Sequence, residues 1–523
     1  MNDQLLWGCI ADDFTGASDA ASFLVAGGLK TLLFNGLPSG VPDPGCQAVV
    51  IALKTRTQET ACAVQDTLQA ARWLKSHGAK QLYIKYCSTF DSTPRGNIGP
   101  ILDALLEEYA LPCTILCPAL PVNGRQVIHG RLYVNGIPLD QSPMGQHPLT
   151  PMWDSRISVL MEAQSKYPCI HVDGSQYLLP GGQGDSRAKG HGRGLAPADQ
   201  TPGTRGDSRT QGHGRGLALA DQTFTAIEQF AAGHPHFYII PDYARDEDAS
   251  AIADLFGDLP LLSGGSGLLM ELARRMSADV DKKPSPTRPC FHKEEPKTAC
   301  PLPENRHGQQ PLTMPCHHTE EEKAARQVWA GKDDRNGQKV HTRTTGSGLL
   351  LAGSCSEMTR RQIAYAQNHH IPSLQIVPQK LLDGSQTLEE LWHFIRSHQG
   401  QEVLVYSSDS PENVKAVQKS GKERIAQLLE QTAAQLALKA VEEGYTRIIV
   451  AGGETSGAVT RALGFDSYII GESVAPGVPV MIPQNRPEIR LVLKSGNFGQ
   501  EDFFLRALEI TSGQDPSFAA QGL

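Results

Sequence analysis

No GxxxxGK[ST] string occurs in the 523 residues, so a nucleotide site here would not be a Walker A loop. The eleven cysteines include no CxxC pair, which disfavours a standard zinc finger and a disulfide framework and points to reduced thiols. No apolar run of about 18 residues is present to span a membrane. The first seven residues, Met1 to Trp7, carry no basic segment of the kind that opens a secretory signal. A basic excess is also lacking, with 48 Lys and Arg against 56 Asp and Glu for a net charge of −8, so a nucleic-acid footprint over the whole surface is not expected. These absences describe a cytoplasmic protein with neither nucleic acid nor membrane as partner.

What is present is a soluble composition, 40% hydrophobic and 20% charged, in a chain long enough for two domains. Short apolar runs alternate with helical patterns, the rhythm of an α/β layer structure. In the first half, strands are expected at Leu6 to Ala11, Thr31 to Phe34, Ala48 to Ala52, Gln81 to Lys85, Thr114 to Cys117 and Ile170 to Val172. Helices are expected over Ala17 to Leu29, Thr60 to His77 and Gly99 to Glu108. Further on, strands are expected at His236 to Pro241, Leu259 to Leu262, Gly348 to Ala352, Glu402 to Tyr406, Thr446 to Ala451 and Ile489 to Leu493, with a long helix over Ile425 to Glu443. Two α/β domains follow, 1–245 and 258–523.

Two stretches break the rhythm. GDSRAKGHGRGLAPADQ at 184–200 returns at 206–222 with three changes, 22 residues on, and its Gly-rich polar composition fits a flexible surface insert over about 181–222 with no catalytic role. The second, about 277–346, is proline-rich and reads as linker. Its Cys290, His292, Cys300, His307, Cys316, His317 and His318 match no standard zinc spacing.

Chemistry gathers where strands end. After the first strand comes Asp12-Asp13-Phe14-Thr15-Gly16, whose carboxylates could accept a proton, bind a hydroxyl or hold Mg²⁺ through water, while Asp13 or Thr15 could simply cap a helix. Lys54, Thr55 and Arg56 follow another strand. Lys85 to Pro100 holds Lys85, Asp91, Ser92 and Arg95 in one segment, a set suited to a carboxylate or phosphate, with ordinary surface ion pairs as the plain alternative. His129, His147 and His171 are weak single signals, and Cys87 has no identifiable base. Asn123-Gly124-Arg125 and His147-Pro148-Leu149-Thr150-Pro151-Met152 are turn-forming segments that could close a substrate pocket, and by themselves read as ordinary loops.

Glycine turns supply the anion chemistry. Gly452-Gly453-Glu454-Thr455-Ser456-Gly457 lies between an apolar strand and a helix, where exposed amides and the helix dipole favour a phosphate. Ser263-Gly264-Gly265-Ser266-Gly267, Gly353-Ser354-Cys355-Ser356 and Lys494-Ser495-Gly496-Asn497 are similar turns. Ser356 could equally be an N-cap.

The strings IADDFTGASDAA, KYCSTFDSTPRGNIGP, GGETSGAV and LKSGNFG, in that order, resemble the four-carbon acid sugar kinases, closest to the 3-oxo-tetronate branch. The resemblance implies an N-terminal sugar-acid-binding domain and a C-terminal nucleotide-binding domain. ATP with Mg²⁺ would phosphorylate the 4-hydroxyl of 3-oxo-tetronate. It also implies ATP-binding positions at Ser266, at Gly452, Gly453, Glu454, Thr455 and Ser456, and at Gly496, with Ser354 added by its turn. In the mechanism that follows, Lys85, Arg95 and Arg56 anchor the substrate carboxylate, and Asp13, or Asp12 or Asp91 in its place, orients or deprotonates the hydroxyl. Thr15, Lys54 and Ser92 join the sugar-acid pocket. The metal ligands are not assigned, and a homo-oligomer is allowed. Rival readings are a threonate or erythronate kinase and a non-catalytic sugar-acid-binding regulator. A dinucleotide oxidoreductase would want GxGxxG after the first strand, which ends in Asp12-Asp13 instead.

Overall fold

The computed structural model describes residues 7–38, 40–42, 45–146, 151–176, 223–279, 346–408 and 422–512. The duplicated segment 181–222, the cysteine and histidine group at 290–318 and His147 lie outside the described residues.

The first half runs β1 (Trp7–Ala11), α1 (Phe14–Ala26), β2 (Thr31–Asn35), β3 (Ala48–Ala52), α2 (Thr60–Ser76), β4 (Gln81–Lys85) and α3 (Ile98–Glu108), then β5 (Cys113–Ile115). Next come the small antiparallel sheet β6 (Arg125–Ile128), β7 (Arg131–Val134) and β8 (Ile137–Pro138), α4 (Ile157–Glu162) and β9 (Cys169–Val172). A helix over 223–233 (α5), β10 (Phe237–Pro241), α6 (Asp248–Phe256), β11 (Leu261–Gly264) and α7 (Leu269–Asp279) complete it. The second half contributes β12 (Gly348–Ala352), β13 (Ser373–Gln375), β14 (Val403–Tyr406), β15 (Arg447–Ala451), β16 (Ser467–Ala475), β17 (Val478–Pro483) and β18 (Arg490–Lys494), with helices between them.

One 12-stranded sheet carries both halves in the order β11-β4-β1-β3-β2-β16-β17-β18-β15-β12-β14-β13. Its two ends are parallel α/β sheets, and strands such as β1 (WGCIA) and β15 (RIIVA) are buried throughout, as parallel strands covered on both faces should be. The antiparallel β16–β17 hairpin joins them, pairing with β2 on one side and β18 on the other. Register shifts between Ile470 and Ala475 bend β16 near its tip. Because Val480 pairs with Val492, the end of β18 returns to that tip.

The segment from 258, assigned from sequence to the second domain, instead lies at the outer edge of the first-half sheet. There β11 pairs with β4 from Leu261↔Leu82 to Gly264↔Lys85, and α7 packs on α1. Strand pairing overrides the composition of the glycine turn. The first helix also starts earlier than Ala17, at Phe14, because the Asp13 side chain accepts from the Gly16 amide and caps it.

Candidate functional site

Two groups of polar residues stand out, one in each half of the chain. The first lies where β1, β3 and β4 end. Arg56, just past β3, places Nε 2.8 Å from Asp12 Oδ2 and Nη2 2.9 Å from Asp12 Oδ1. Its Nη2 also lies 2.7 Å from Asp13 Oδ2, and Nη1 is 4.0 Å from Asp91 Oδ2. Burial opposes the charge of Arg56, but Asp12 and Asp13 outweigh it and hold the guanidinium protonated well above its ordinary range. Burial raises the Asp12 carboxyl, against the pull of Arg56. Asp13 both caps α1 and pairs with Arg56, yet its side chain remains 34% exposed against 12% for Asp12.

Lys85, the last residue of β4, is buried, with Nζ 3.5 Å from Asp19 Oδ2 and donating to the Tyr86 carbonyl at 3.1 Å. Burial works against its ammonium, and Asp19 and Asp12 more than offset that, raising its pKa. Ser266 Oγ donates to the same Asp19 oxygen. The structure therefore brings Ser266 to Asp19 and Lys85, in the first half, rather than to the other phosphate-turn residues. Ser92 donates to Gln164 Oε1 at 3.0 Å, Thr15 accepts from Ser18 Oγ through its carbonyl, and Lys54 and Arg95 are exposed. Burial, with Asp91 adding, pushes the Cys87 thiol up to about 12, which removes it as a nucleophile. The pocket enclosed by Asp12, Arg56, Lys85 and Asp91 has a volume of about 20 Å³, room for one water and not for a four-carbon acid.

The second group is built from three turns of the second half. Gly452 sits at φ +130, a conformation that side chains rarely adopt, and its amide donates to the Lys494 carbonyl at 2.9 Å. It caps the helix Gly453–Leu463 with no side-chain bond, so that helix opens with unengaged amides. Gly453 and Glu454 are exposed, Thr455 and Ser456 are buried, and a Cβ on Gly453 would meet nothing within 4 Å. Alongside, Ser354 precedes Ser356, which caps the helix Glu357–Asn368 by accepting from the Thr359 amide. The Gly496 carbonyl accepts from Ser356 Oγ at 2.6 Å, Thr359 Oγ1 at 2.9 Å and Lys494 Nζ at 2.9 Å. Lys494 is fully buried, and burial brings its pKa down to about 7.

A cleft of about 1350 Å³ is lined by residues of both halves, though not by Asp12, Asp13, Arg56, Lys85, Gly453, Thr455 or Gly496 themselves. Arg125, Tyr243 and Gly267 line it from the first half, and Met358, Asn497 and Phe498 from the second. The hairpin tip closes one side. A Cβ on Gly477 would overlap Asp19 Oδ1 and lie 3.1 Å from the Phe498 ring, so the tip touches both groups at once.

Asp19, Lys494 and the orientation of Arg125 were missed from sequence. A lone carboxylate inside the apolar helix segment Ala17 to Leu24 was the available signal for Asp19, and a lysine closing the apolar run LVLK was that for Lys494. His129, Asp173 and Asp242 bring ligand atoms within 4.8 Å of one another. The Asp242 carboxylate is already engaged by the Gly130 and Gly174 amides and by His171. No helix among the described residues is long and apolar enough to cross a membrane.

Residues 7–272 match the family model described as sugar-binding N-terminal domain, and 349–504 match the nucleotide-binding C-terminal domain. The chain is 34% identical to the 3-oxo-tetronate kinase of Brucella melitensis biotype 1, covering 97% of this chain and 95% of that one. It is 36% identical to the 3-oxo-tetronate kinase of Pseudomonas savastanoi pv. phaseolicola, covering 98% and 99%. Among solved structures, the putative tRNA synthase from Salmonella typhimurium LT2 superposes with a TM-score of 0.71 at 32% identity, over 96% of this chain and 99% of that one. A Haemophilus influenzae protein gives 0.64 at 33% identity, over 96% and 100%.

Proposed function

The chain belongs to the 3-oxo-tetronate kinase family, and from that premise we propose that it transfers the γ-phosphate of ATP to the terminal 4-hydroxyl of 3-oxo-tetronate, giving 3-oxo-tetronate 4-phosphate. The observation that carries this reading is the cleft itself. It is wide enough for both substrates and is lined by Arg125, Asp246 and Glu271 of the sugar-binding match and by Asn497 and Phe498 of the nucleotide-binding match. A net charge of −8 offers no general basic footprint for RNA.

Phosphoryl transfer asks for positioning and charge stabilisation more than for covalent help from the protein. The open start of the helix Gly453–Leu463 suits the phosphates of ATP, with Ser354, Thr455, Ser456 and Gly496 around it. Ser266 and Lys85 lie in the first half, both against Asp19. The hydroxyl oxygen of the acid forms the new P–O bond as the bond to ADP breaks, and the hydroxyl proton passes to Asp13, the most open carboxylate of the Asp12, Asp13 and Asp91 set.

The chemistry of the first group also fits Mg²⁺. Asp12, Asp13, Asp19 and Asp91 outnumber Arg56 and Lys85, and oxygen donors in excess suit a hard cation, with Asp91 as the residue that would hold it. When bound, Mg²⁺ neutralises phosphate charge. Turnover of Asp13→Asn tests the assignment of the base: kcat is expected to fall about 100-fold or more, with both KM values within a few-fold of the parent. A near-normal kcat would remove Asp13 from the role.

A further inference from the structure

Arg56 and Lys85, the buried cations expected to anchor the substrate carboxylate, are both committed. Arg56 forks onto Asp12 and pairs with Asp13, and Lys85 faces Asp19. Arg95, the third, is exposed. One arginine on the cleft wall is different. Arg125 opens β6, and its Nη1 bonds only the Asn123 carbonyl of its own turn. Its Nε is shut away from solvent without an acceptor, and no carboxylate lies in ion-pair range of it among the described residues.

The same turn holds a second stranded donor. Asn123 Nδ2 is also buried without a partner, and both side chains line the cleft. A buried donor left unpaired is costly, more so when charged, and native structures rarely leave two in one turn unless something else fills them. Burial draws the Arg125 guanidinium below its ordinary range, and Cys87 and Asp91 are close enough to act on it electrostatically. Arg125 therefore sits beside the loop that carries Asp91. The missing partner is an acceptor with two oxygens and a negative charge.

We propose that the Asn123–Arg125 turn anchors the carboxylate of the sugar acid, the Arg125 guanidinium and the Asn123 amide donating to its two oxygens. This rests on the kinase reading above and gives it a specificity determinant: an acid is selected over the matching neutral sugar. A phosphate of ATP has the same oxyanion chemistry. The carboxylate is preferred because the turn belongs to the first half, beside Asp91, whereas the uncapped helix start and the turns at Ser354, Gly452 and Gly496 belong to the second.

Steady-state kinetics of Arg125→Met separate the two sources. The expected result is a rise of about 10–100-fold in KM for 3-oxo-tetronate, with KM for ATP within about threefold of the parent. Erythrulose, which carries CH₂OH in place of the carboxylate, is the neutral probe. The parent should prefer the acid strongly, and the variant should lose most of that preference. Arg125→Lys is expected to recover part of it, since a point charge replaces the fork. A rise confined to KM for ATP, or an unchanged ratio of acid to erythrulose, would overturn the proposal. Should Arg125→Met not fold, Asn123→Ala reads the same split. If the parent turns over no four-carbon acid, the kinase reading fails by itself; calorimetry then judges the anchor, by binding of 3-oxo-tetronate to the parent and its loss in the variant.

Discussion

Lys494 shows how one residue can tie a site to the stability of its scaffold. It is fully buried at the end of β18, it pairs with no carboxylate among the described residues, and its ammonium is satisfied by the Gly496 and Ser495 carbonyls and Thr359 Oγ1. An unfolded lysine keeps its proton to about pH 10.4, whereas burial brings this one to about 7. Between those values the unfolded chain holds more protons. The contribution of Lys494 to stability therefore rises with pH across that window, and its full cost is present below about pH 7. Lys494→Met is expected to flatten the rise, which amounts to at most about 1.4 kcal/mol per pH unit. Melting parent and variant at about pH 7 and about pH 9 checks it, and equal slopes would contradict it. The variant also loses the bond that holds the Gly496 carbonyl, so KM for ATP should rise.

At the scale of elements, the helix Gly453–Leu463 carries the clearest expectation. Its first residue faces open space, while the residue before it is held at φ +130 with Ser354 N 2.9 Å from where a Cβ would be. Gly453→Val therefore places bulk over the anion seat without disturbing the fold. KM for ATP should rise about tenfold or more, KM for the acid should stay within about twofold, and the melting temperature should barely change. Equal weakening of both substrates would count against an ATP seat there.

Most strands of both parallel sheets were readable because burial on both faces leaves continuous apolar runs, as in AVVIA of β3 and GLLLA of β12, whereas the short half-buried edge strand β13 (SLQ) has no such run. The β16–β17 pair was not. Its sequence SYIIGESVA mixes polar and apolar residues around a glycine, and Pro479 interrupts β17, so neither strand alternates cleanly. The small helix Leu388–Ser397 escaped although Thr387 and Glu390 form a capping box, a signal present in the sequence but not weighed.

At the scale of the whole molecule, that unforeseen hairpin joins the halves. Residues that meet only in three dimensions were beyond the sequence: Gly477 at the tip lies against Asp19 of α1 and Phe498 of the second half. The motif order did announce the family. It could not say that Arg56 would be spent on Asp12 and Asp13, nor that Ser266 would sit with Asp19, because both outcomes depend on how strand ends converge.

The central claim is that this cleft joins ATP to a four-carbon acid, and an ADP-release assay across a panel of such acids tests it most directly. The account predicts ATP-dependent turnover of 3-oxo-tetronate, with kcat/KM at least about tenfold above threonate and erythronate. Preference for threonate or erythronate would move the substrate to the other branch. Binding of the acid with no ADP released from any member of the panel would contradict the account.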